Sequence, residues 1–396
     1  MSAPLLRDES VGVYLHVPFC ERVCPYCDFA VEAARPLLPA REEAYVAALL
    51  EELAARRGDF AGLALASVYL GGGTPSLLAP DSLARLVAAV RQAFPARGEV
   101  EVTLEVNPST VERERLPGFG AAGVNRLSVG IQSFDDLVLR RLGRAHRAEE
   151  GHATLRAARV AGFANVSLDL IFGVPDQSPA AFEADLDAVE RFAPEHVSTY
   201  ALTFEPGTPF GRARAEGRLA APPDDRVADL YERACERLAA AGLASYEISS
   251  HARPGRRSTH NRRYWERLPV LGLGVGAWST EPRSEAAPHG ARRRNLRSVG
   301  AYLEAVASGR SPQEGPTERL APATARGEAV FLALRTAEGL DPAVFQAEFG
   351  QAPEAWFGEA LAELTAAGLL AGTPAGGIAL TPRGRLLSDT VFERFV

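Results

Sequence analysis

Lysine is missing from this sequence: all 43 of its cationic side chains are arginine. Neither folding nor binding demands such an absence, so it reads as a bias of genome base composition. An excess of positive charge is missing too, since the formal net charge is -7. That excludes a sequence-independent grip on nucleic acid, which depends on clustered cations meeting phosphates. No apolar run is long enough to span a bilayer. The opening MSAPLLRDES lacks a basic start followed by an apolar stretch, so neither insertion nor export is signalled and a cytoplasmic protein is expected. Cysteine is scarce, and three of the four fall within eight residues. Such a layout suits a metal and not a disulfide framework. The fourth, Cys235, stands in YERACERLAAAG, an amphipathic helical pattern in which a lone cysteine reads as a small buried apolar residue. Internal repeats and low-complexity tracts are absent.

What is present is enough apolar sequence for a large core: 396 residues, 46% hydrophobic and 23% charged, expected to form one big domain and a smaller one. Six short stretches rich in β-branched and apolar residues recur between residues 11 and 202: VGVYLHV, ASVYLGG, VEVTLEV, NRLSVGI, NVSLDLIF and HVSTYAL. Between them lie helical patterns such as EEAYVAALLEELAARR, PDSLARLVAAVRQAF and SPAAFEADLDAVERFA. Strand and helix in regular alternation predict an α/β fold with a parallel sheet, closed or partly closed into a barrel. Cys20 to Cys27 follow the first strand, Gly71 to Thr74 the second, and Glu105 ends the third, with Gln132 and Asp169 on the fourth and fifth. Taken singly, each is ordinary turn chemistry. Five consecutive strands marked at the same end instead point to a shared pocket at the C-terminal rim of a barrel.

After Leu202 the pattern changes. Residues 226–242 look helical, and YEISSHARPGRRSTHNRRYWERLPVLGLGVGAWS reads as strand, polar loop and glycine-rich run, an extension of the barrel. The expected division is a barrel over 1–225, an extension over 226–310, a linker of Pro, Gly and polar residues over 311–323, and a small domain over 324–396. That last unit reads as helices, a hairpin near GTPAGGIALTPRG and a closing helix, a layout resembling a winged helix. It is not basic, so a packing or partner role is expected in place of DNA binding.

The central motif is YLHVPFCERVCPYCDF, with Cys20, Cys24 and Cys27 spaced C-x3-C-x2-C. Three thiolates can ligate only three irons of a 4Fe–4S cubane, which leaves one iron open to a small chelator carrying an amine and a carboxylate. Zinc is the rival reading. It too favours cysteines at short spacing, but a structural zinc site wants four closed ligands, and His16 lies within the first strand. GGGTP lacks the Lys and Ser/Thr pair of a phosphate loop, which disfavours a nucleoside triphosphate. Carboxylates such as Glu105 and Asp169 suit hydroxyl or ammonium groups, and a guanidinium such as Arg144 suits a carboxylate. Each alone could also be a structural ion pair.

The cysteine spacing within Y-x-H-V-P-F-C resembles the radical S-adenosylmethionine enzymes, whose fold is a partial barrel of six strand–helix units. GGGTPS, EVNPST, NRLSVGIQSFDDLVLRRLGRAH, SLDLIFGVPDQS and YALTFEPGT resemble the HemN and HemW branch of that family, and the likeness covers essentially the whole chain. The branch includes oxygen-independent coproporphyrinogen oxidases and haem chaperones. The resemblance implies that Cys20, Cys24 and Cys27 hold the cluster and that Tyr14 and Tyr26 help position S-adenosylmethionine. It further implies that Gly72, Gly73, Thr74, Glu105, Gln132, Arg144 and Asp169 line that cofactor's pocket.

Within the branch, the decarboxylating oxidases have a further cysteine two residues after the last cluster cysteine and a long arm before the first strand. Here Phe29 stands at that position and Tyr14 follows a short leader. These departures point to the haem chaperones, proteins that bind haem and hand it to acceptors, membrane-associated ones included. Enzymatic activity is left open by this reading, and a homodimer is compatible with it. H-N-x-x-Y-W at His260, Asn261, Tyr264 and Trp265 resembles a signature of the same group. Its chemistry suits haem: imidazole can ligate iron, aromatic rings can cover the macrocycle, and Arg256, Arg257, Arg262 and Arg263 can meet propionates. His260 is the expected axial ligand and His251 a weaker one, although a histidine beside Tyr and Trp is often a hydrogen-bonded structural residue and the arginines could form a solvated loop. The alternative function is coproporphyrinogen oxidation by a 5'-deoxyadenosyl radical.

Overall fold

The computed structural model describes residues 9–396; residues 1–8, and with them most of the opening segment that lacks an export signal, lie outside the described residues. Six parallel strands form its centre: β1 Ser10–Val17, β2 Ala64–Gly72, β3 Glu101–Val106, β4 Arg126–Gln132, β5 Val166–Phe172 and β6 His196–Ala201. All six coincide with the expected stretches to within two residues. On the outer side of β6 lie the antiparallel β7 Ala244–Ser245 and β8 Ser250–Ala252. On the outer side of β1 lie the parallel β9 Val270–Leu273, then antiparallel β10 Trp278–Glu281, β11 Ala291–Arg294 and β12 Glu318–Arg319. The resulting twelve-stranded row, β12-β11-β10-β9-β1-β2-β3-β4-β5-β6-β8-β7, does not close on itself. The barrel is therefore partial.

Why these segments curve around an interior is visible in their period of two. One set of side chains, including Val68, Leu70, Val102, Leu104, Leu127, Val129, Leu168 and Leu170, belongs to the large apolar core shared with the helices. The alternate set is polar: Ser67, Tyr69, Thr103, Glu105, Arg126, Ser128, Ser167, Asp169, Ser198 and Tyr200. Helices Pro39–Arg56, Pro80–Ala93 and Pro179–Phe192 form where helical periodicity is strongest, each beginning with Pro at its first turn. Helix Thr110–Ala121 had no such signal, because Pro117, Gly118 and Gly120 interrupt it; the Ser109 hydroxyl caps it by accepting from Glu112 N at 3.3 Å.

Two segments differ from the expected reading. The HNRRYW stretch is a short helix, Thr259–Trp265, and not a loop: Ser258 Oγ accepts from Asn261 N at 3.2 Å to start it. Its arginines hid the turn, yet Arg263 points inward, 3% exposed, donating to Pro269 O and Ser10 O. Within the stretch read as a linker, Glu318–Arg319 pairs with β11 as an edge strand. A second core gathers Val330, Leu334, Phe345, Leu361, Leu364 and Leu380 in the C-terminal unit, whose hairpin pairs Leu370–Gly372 with Ile378–Leu380.

Glu52 joins the first helix to the extension. One carboxylate oxygen accepts from Asn295 Nδ2 at 2.6 Å, and the other from Gly274 N at 2.9 Å and Tyr302 Oη at 2.8 Å. At 2% exposure, burial raises its pKa while these donors oppose the rise. Replacing Glu52 with Ala strands three buried donors and is expected to cost roughly 3 to 5 kcal/mol in denaturant unfolding. Glu52→Gln, which keeps an acceptor, is expected to cost less than half of that.

Candidate active site

β1 hands the chain to a loop that is pinned at both ends. Glu32 N donates to Pro18 O and Ala34 N to Cys20 O, both at 2.8 Å, and Cys27 N turns back onto Cys24 O at 3.1 Å. The glycine loop after β2 locks onto the first: Gly73 N donates to Val17 O and Thr74 N to Phe19 O, again at 2.8 Å. Contact here is so close that a Cβ on Gly73 would fall 2.9 Å from Cys20 Sγ and 2.7 Å from Phe19 O. Glycine is needed there for approach. The three thiols open onto a cavity of about 420 Å³ whose lining includes Tyr26, Gly72, Gly73, Thr74, Glu105, Gln132, Arg144 and Asp169. Every residue expected from the resemblance to surround the cluster and its ligand is on this wall except Tyr14.

Tyr14 stands one layer lower. Its hydroxyl lies 3.0 Å from His16 Nδ1, and His16 Nε2 lies 3.0 Å from Ala30 O. A carbonyl can only accept, so Nε2 carries the proton and Nδ1 accepts from the tyrosine. Burial pushes the imidazole down to about 4, leaving it neutral. Gly72, at φ 108°, lies over this ring, where a Cβ would be 2.5 Å from Cε1. Tyr14 and His16 thus prop the glycine loop from behind.

The ligand set fits a cluster better than zinc. Among the described residues lining the cavity, cysteines 20, 24 and 27 are the only Cys or His side chains. Cys235 sits elsewhere, on helix Asp224–Ala240 beside Tyr231. A closed tetrahedral site lacks its fourth ligand, whereas a cubane needs no more than three from the protein and keeps one iron open. Burial pushes the Cys20 thiol up to about 11 and raises Cys27. Nearby positive charge comes from Arg144, whose Nη1 is 3.7 Å from Cys24 Sγ, while Nη2 donates to Asn107 Oδ1 at 2.6 Å and Gly130 O at 3.0 Å. Asn107 in turn donates to Thr74 Oγ1 at 2.8 Å, so the guanidinium, the glycine loop and the cysteine loop are held as one unit.

Two acids face the interior. Glu105 accepts from Tyr69 Oη at 2.9 Å and from Gly72 N at 3.0 Å, and burial pushes it up to about 7. Asp169 accepts from Ser128 Oγ at 3.0 Å and is likewise raised by burial. Arg126, 1% exposed, opposes both rises by its charge. Gln132 occupies the left-handed region at φ 64°, where the β4 register shifts, so the end of that strand turns toward the cavity. Tyr69, Asn107 and Arg126 escaped the sequence reading. The usable signal was the polar residue at every second strand position.

The HNRRYW helix closes the opposite end of the barrel. Its first amides, Thr259 N and His260 N, each donate to the Glu101 carboxylate at 3.0 Å. His260 is 1% exposed, with Nδ1 2.9 Å from Ser67 Oγ and Nε2 3.2 Å from Tyr264 Oη, and its ring lies 5.1 Å from that of Tyr69. Asn261 lines the cysteine cavity itself. Tyr264 faces the other way, into an outer cleft of about 1140 Å³, and Trp265 packs against Tyr246 at 5.8 Å. The four motif residues are therefore distributed among barrel interior, cluster cavity, outer cleft and domain contact. His251, on β8, is fully buried and neither ring nitrogen has a partner.

Comparison with known proteins agrees with this architecture. The model of the Radical SAM superfamily matches residues 14–189, and that of the HemN C-terminal domain matches residues 320–387. The chain is 32% identical to the heme chaperone HemW of Bacillus subtilis (strain 168) over 388 residues, covering 97% of this chain and 99% of that one. It is 36% identical to heme chaperone HemW of Mycobacterium tuberculosis (strain ATCC 25618 / H37Rv) over 387 residues, covering 97% and 94%. The solved coproporphyrinogen III oxidase HemN of Escherichia coli superposes with a TM-score of 0.82 at 25% identity, covering 99% of this chain and 91% of that one. An open six-stranded barrel with three cysteines at its rim, matched end to end by such relatives, makes this chain a member of the radical S-adenosylmethionine superfamily, in its HemN and HemW branch.

Proposed function

We propose that this protein is a haem chaperone: it holds a 4Fe–4S cluster on Cys20, Cys24 and Cys27, binds S-adenosylmethionine at the open iron, and carries haem to acceptor proteins. The observation that carries the chaperone reading over the oxidase reading is Phe29. It lines the cluster cavity, 61% exposed, where the decarboxylating oxidases have a further cysteine. An exposed phenyl ring supplies no thiol to that chemistry. Relatives bearing the heme chaperone name over nearly the full length support the same choice.

When bound, the cluster supplies an iron that chelates the amino-acid end of S-adenosylmethionine and an electron able to cleave it. The chain's own residues provide the rest. Arg144 sets a fixed positive charge beside Cys24. Glu105 and Asp169 offer acceptors for hydroxyl or ammonium groups, and the Gly72–Gly73–Thr74 backbone admits the ligand closely. Tyr26, with Phe210 packed 6.4 Å away, walls the cavity.

In anaerobically reconstituted protein, Cys24→Ser should lose most iron, inorganic sulfide and brown absorbance. Gly73→Ala, by driving a methyl group into Cys20 Sγ and Phe19 O, should lower cluster content by at least half at unchanged far-UV circular dichroism. Glu105 carries its charge only above about pH 7, so S-adenosylmethionine affinity should strengthen as pH rises from 6 to 8. Glu105→Gln should flatten that dependence in equilibrium dialysis. Haem titration of the reconstituted protein should produce a Soret shift, and incubation with coproporphyrinogen should give no protoporphyrinogen. Robust porphyrinogen turnover would overturn the chaperone reading.

A further inference from the structure

Resting on the reading that haem is this protein's cargo, we propose that haem sits in the outer cleft beside the C-terminal unit, with His289 as its imidazole ligand. The site is remote from the cluster cavity and from the buried face of the HNRRYW helix. Room is the first consideration. The cluster cavity, at about 420 Å³, must already accommodate the cubane and S-adenosylmethionine, whereas the outer cleft measures about 1140 Å³. The cleft also offers flat apolar walls: the ring of Trp278 is 48% exposed, Tyr264 is 36% exposed, and Leu268, Leu332 and Val344 complete the lining.

Of the seven histidines, one is suited to iron. His16, His146, His196 and His260 are buried with ring nitrogens engaged in hydrogen bonds. His251 is sealed inside β8. His152 stacks on Phe134 at 4.5 Å and lines neither cavity. His289 alone lines the outer cleft; its ring is stacked on Phe349 at 5.7 Å, and among the described residues its nitrogens make no hydrogen bond. A neutral imidazole held by one stacked face can give a nitrogen lone pair to iron without breaking any protein contact.

Charge points the same way. Arg267 and Arg283 both meet a single carboxylate oxygen, Glu348 Oε1, at 2.8 and 3.0 Å, and Arg326 adds a third guanidinium acting on His289. Three guanidiniums around one carboxylate leave a surplus suited to the two propionates of haem. Other acids on the lining are paired: Glu281 with Arg56, Glu328 with Arg292, Glu266 with Arg262. Tyr264 then gains a role, because it walls the cleft while its hydroxyl meets His260 Nε2. The motif would sense the cargo through that phenol without its own histidine touching iron.

The test is hemin titration of the full-length, cluster-reconstituted protein, read by Soret position and by electron paramagnetic resonance. His289→Ala should abolish the imidazole-ligated signature and weaken affinity about tenfold, with the signature restored by added free imidazole. Arg283→Glu should weaken affinity without changing the ligation signature, and His152→Ala should match wild type. If wild type binds haem and His289→Ala is indistinguishable from it, the assignment is overturned while the cargo reading stands. An altered ligation signature in His260→Ala alone would overturn it equally. Failure of wild type to bind any haem would overturn both.

Discussion

Two carboxylates and one guanidinium share the inside of a barrel that water does not freely fill, and most of the architecture serves that constraint. Glu105, Asp169 and Arg126 come from three neighbouring strands, β3, β5 and β4, so their charges oppose one another across the sheet and not along it. Burying such groups is costly unless each finds donors or opposite charge. Tyr69, the Gly72 amide and Ser128 meet the acids, and Thr103 meets the guanidinium at 3.4 Å. Satisfaction remains incomplete, since Arg126 Nε has no partner. A ligand with hydroxyl or ammonium groups would complete what the protein leaves unfinished.

The cysteine loop depends on this interior at one remove. Gly72 gives its amide to Glu105, and the next glycine gives its amide to Val17, so the same short backbone stretch reports the state of the acid to the thiols. His16 and Tyr14 fill the space behind it. Arg144 closes the circuit from the other side through Asn107 and Thr74. Cluster ligands, glycine loop and acids are consequently a single mechanical unit, although they lie on elements separated by more than 100 positions in sequence.

Much of this is legible in the sequence because β-branched runs and helical periods are local properties. The six barrel strands, the rim location of Cys20 to Cys27 and the lining by Glu105, Arg144 and Asp169 all follow from such signals and from motif resemblance. What escapes is relational. Tyr69, Arg126 and Asn107 are ordinary strand and loop residues until the sheet curves and brings them to one space. The HNRRYW segment misleads for a different reason: its composition suggests a polar loop, while a single serine cap and two inward residues, His260 and Arg263, make it a helix. No local rule reveals that the residues of one short motif will face separate compartments.

The strand row ends at β7 on one side and at β12 on the other, and that incompleteness has a mechanical meaning. A fully closed cylinder resists widening because every strand in it is bonded on both flanks. In this protein the seam is spanned at its lower end by the Thr259–Trp265 helix, whose hold on the sheet is chiefly two amide bonds to Glu101 and a serine hydroxyl against an imidazole. Such a plug can yield without unzipping any ladder of backbone bonds. The chamber is therefore able to dilate around bulky guests at small energetic cost, a compliance that closed cylinders do not possess.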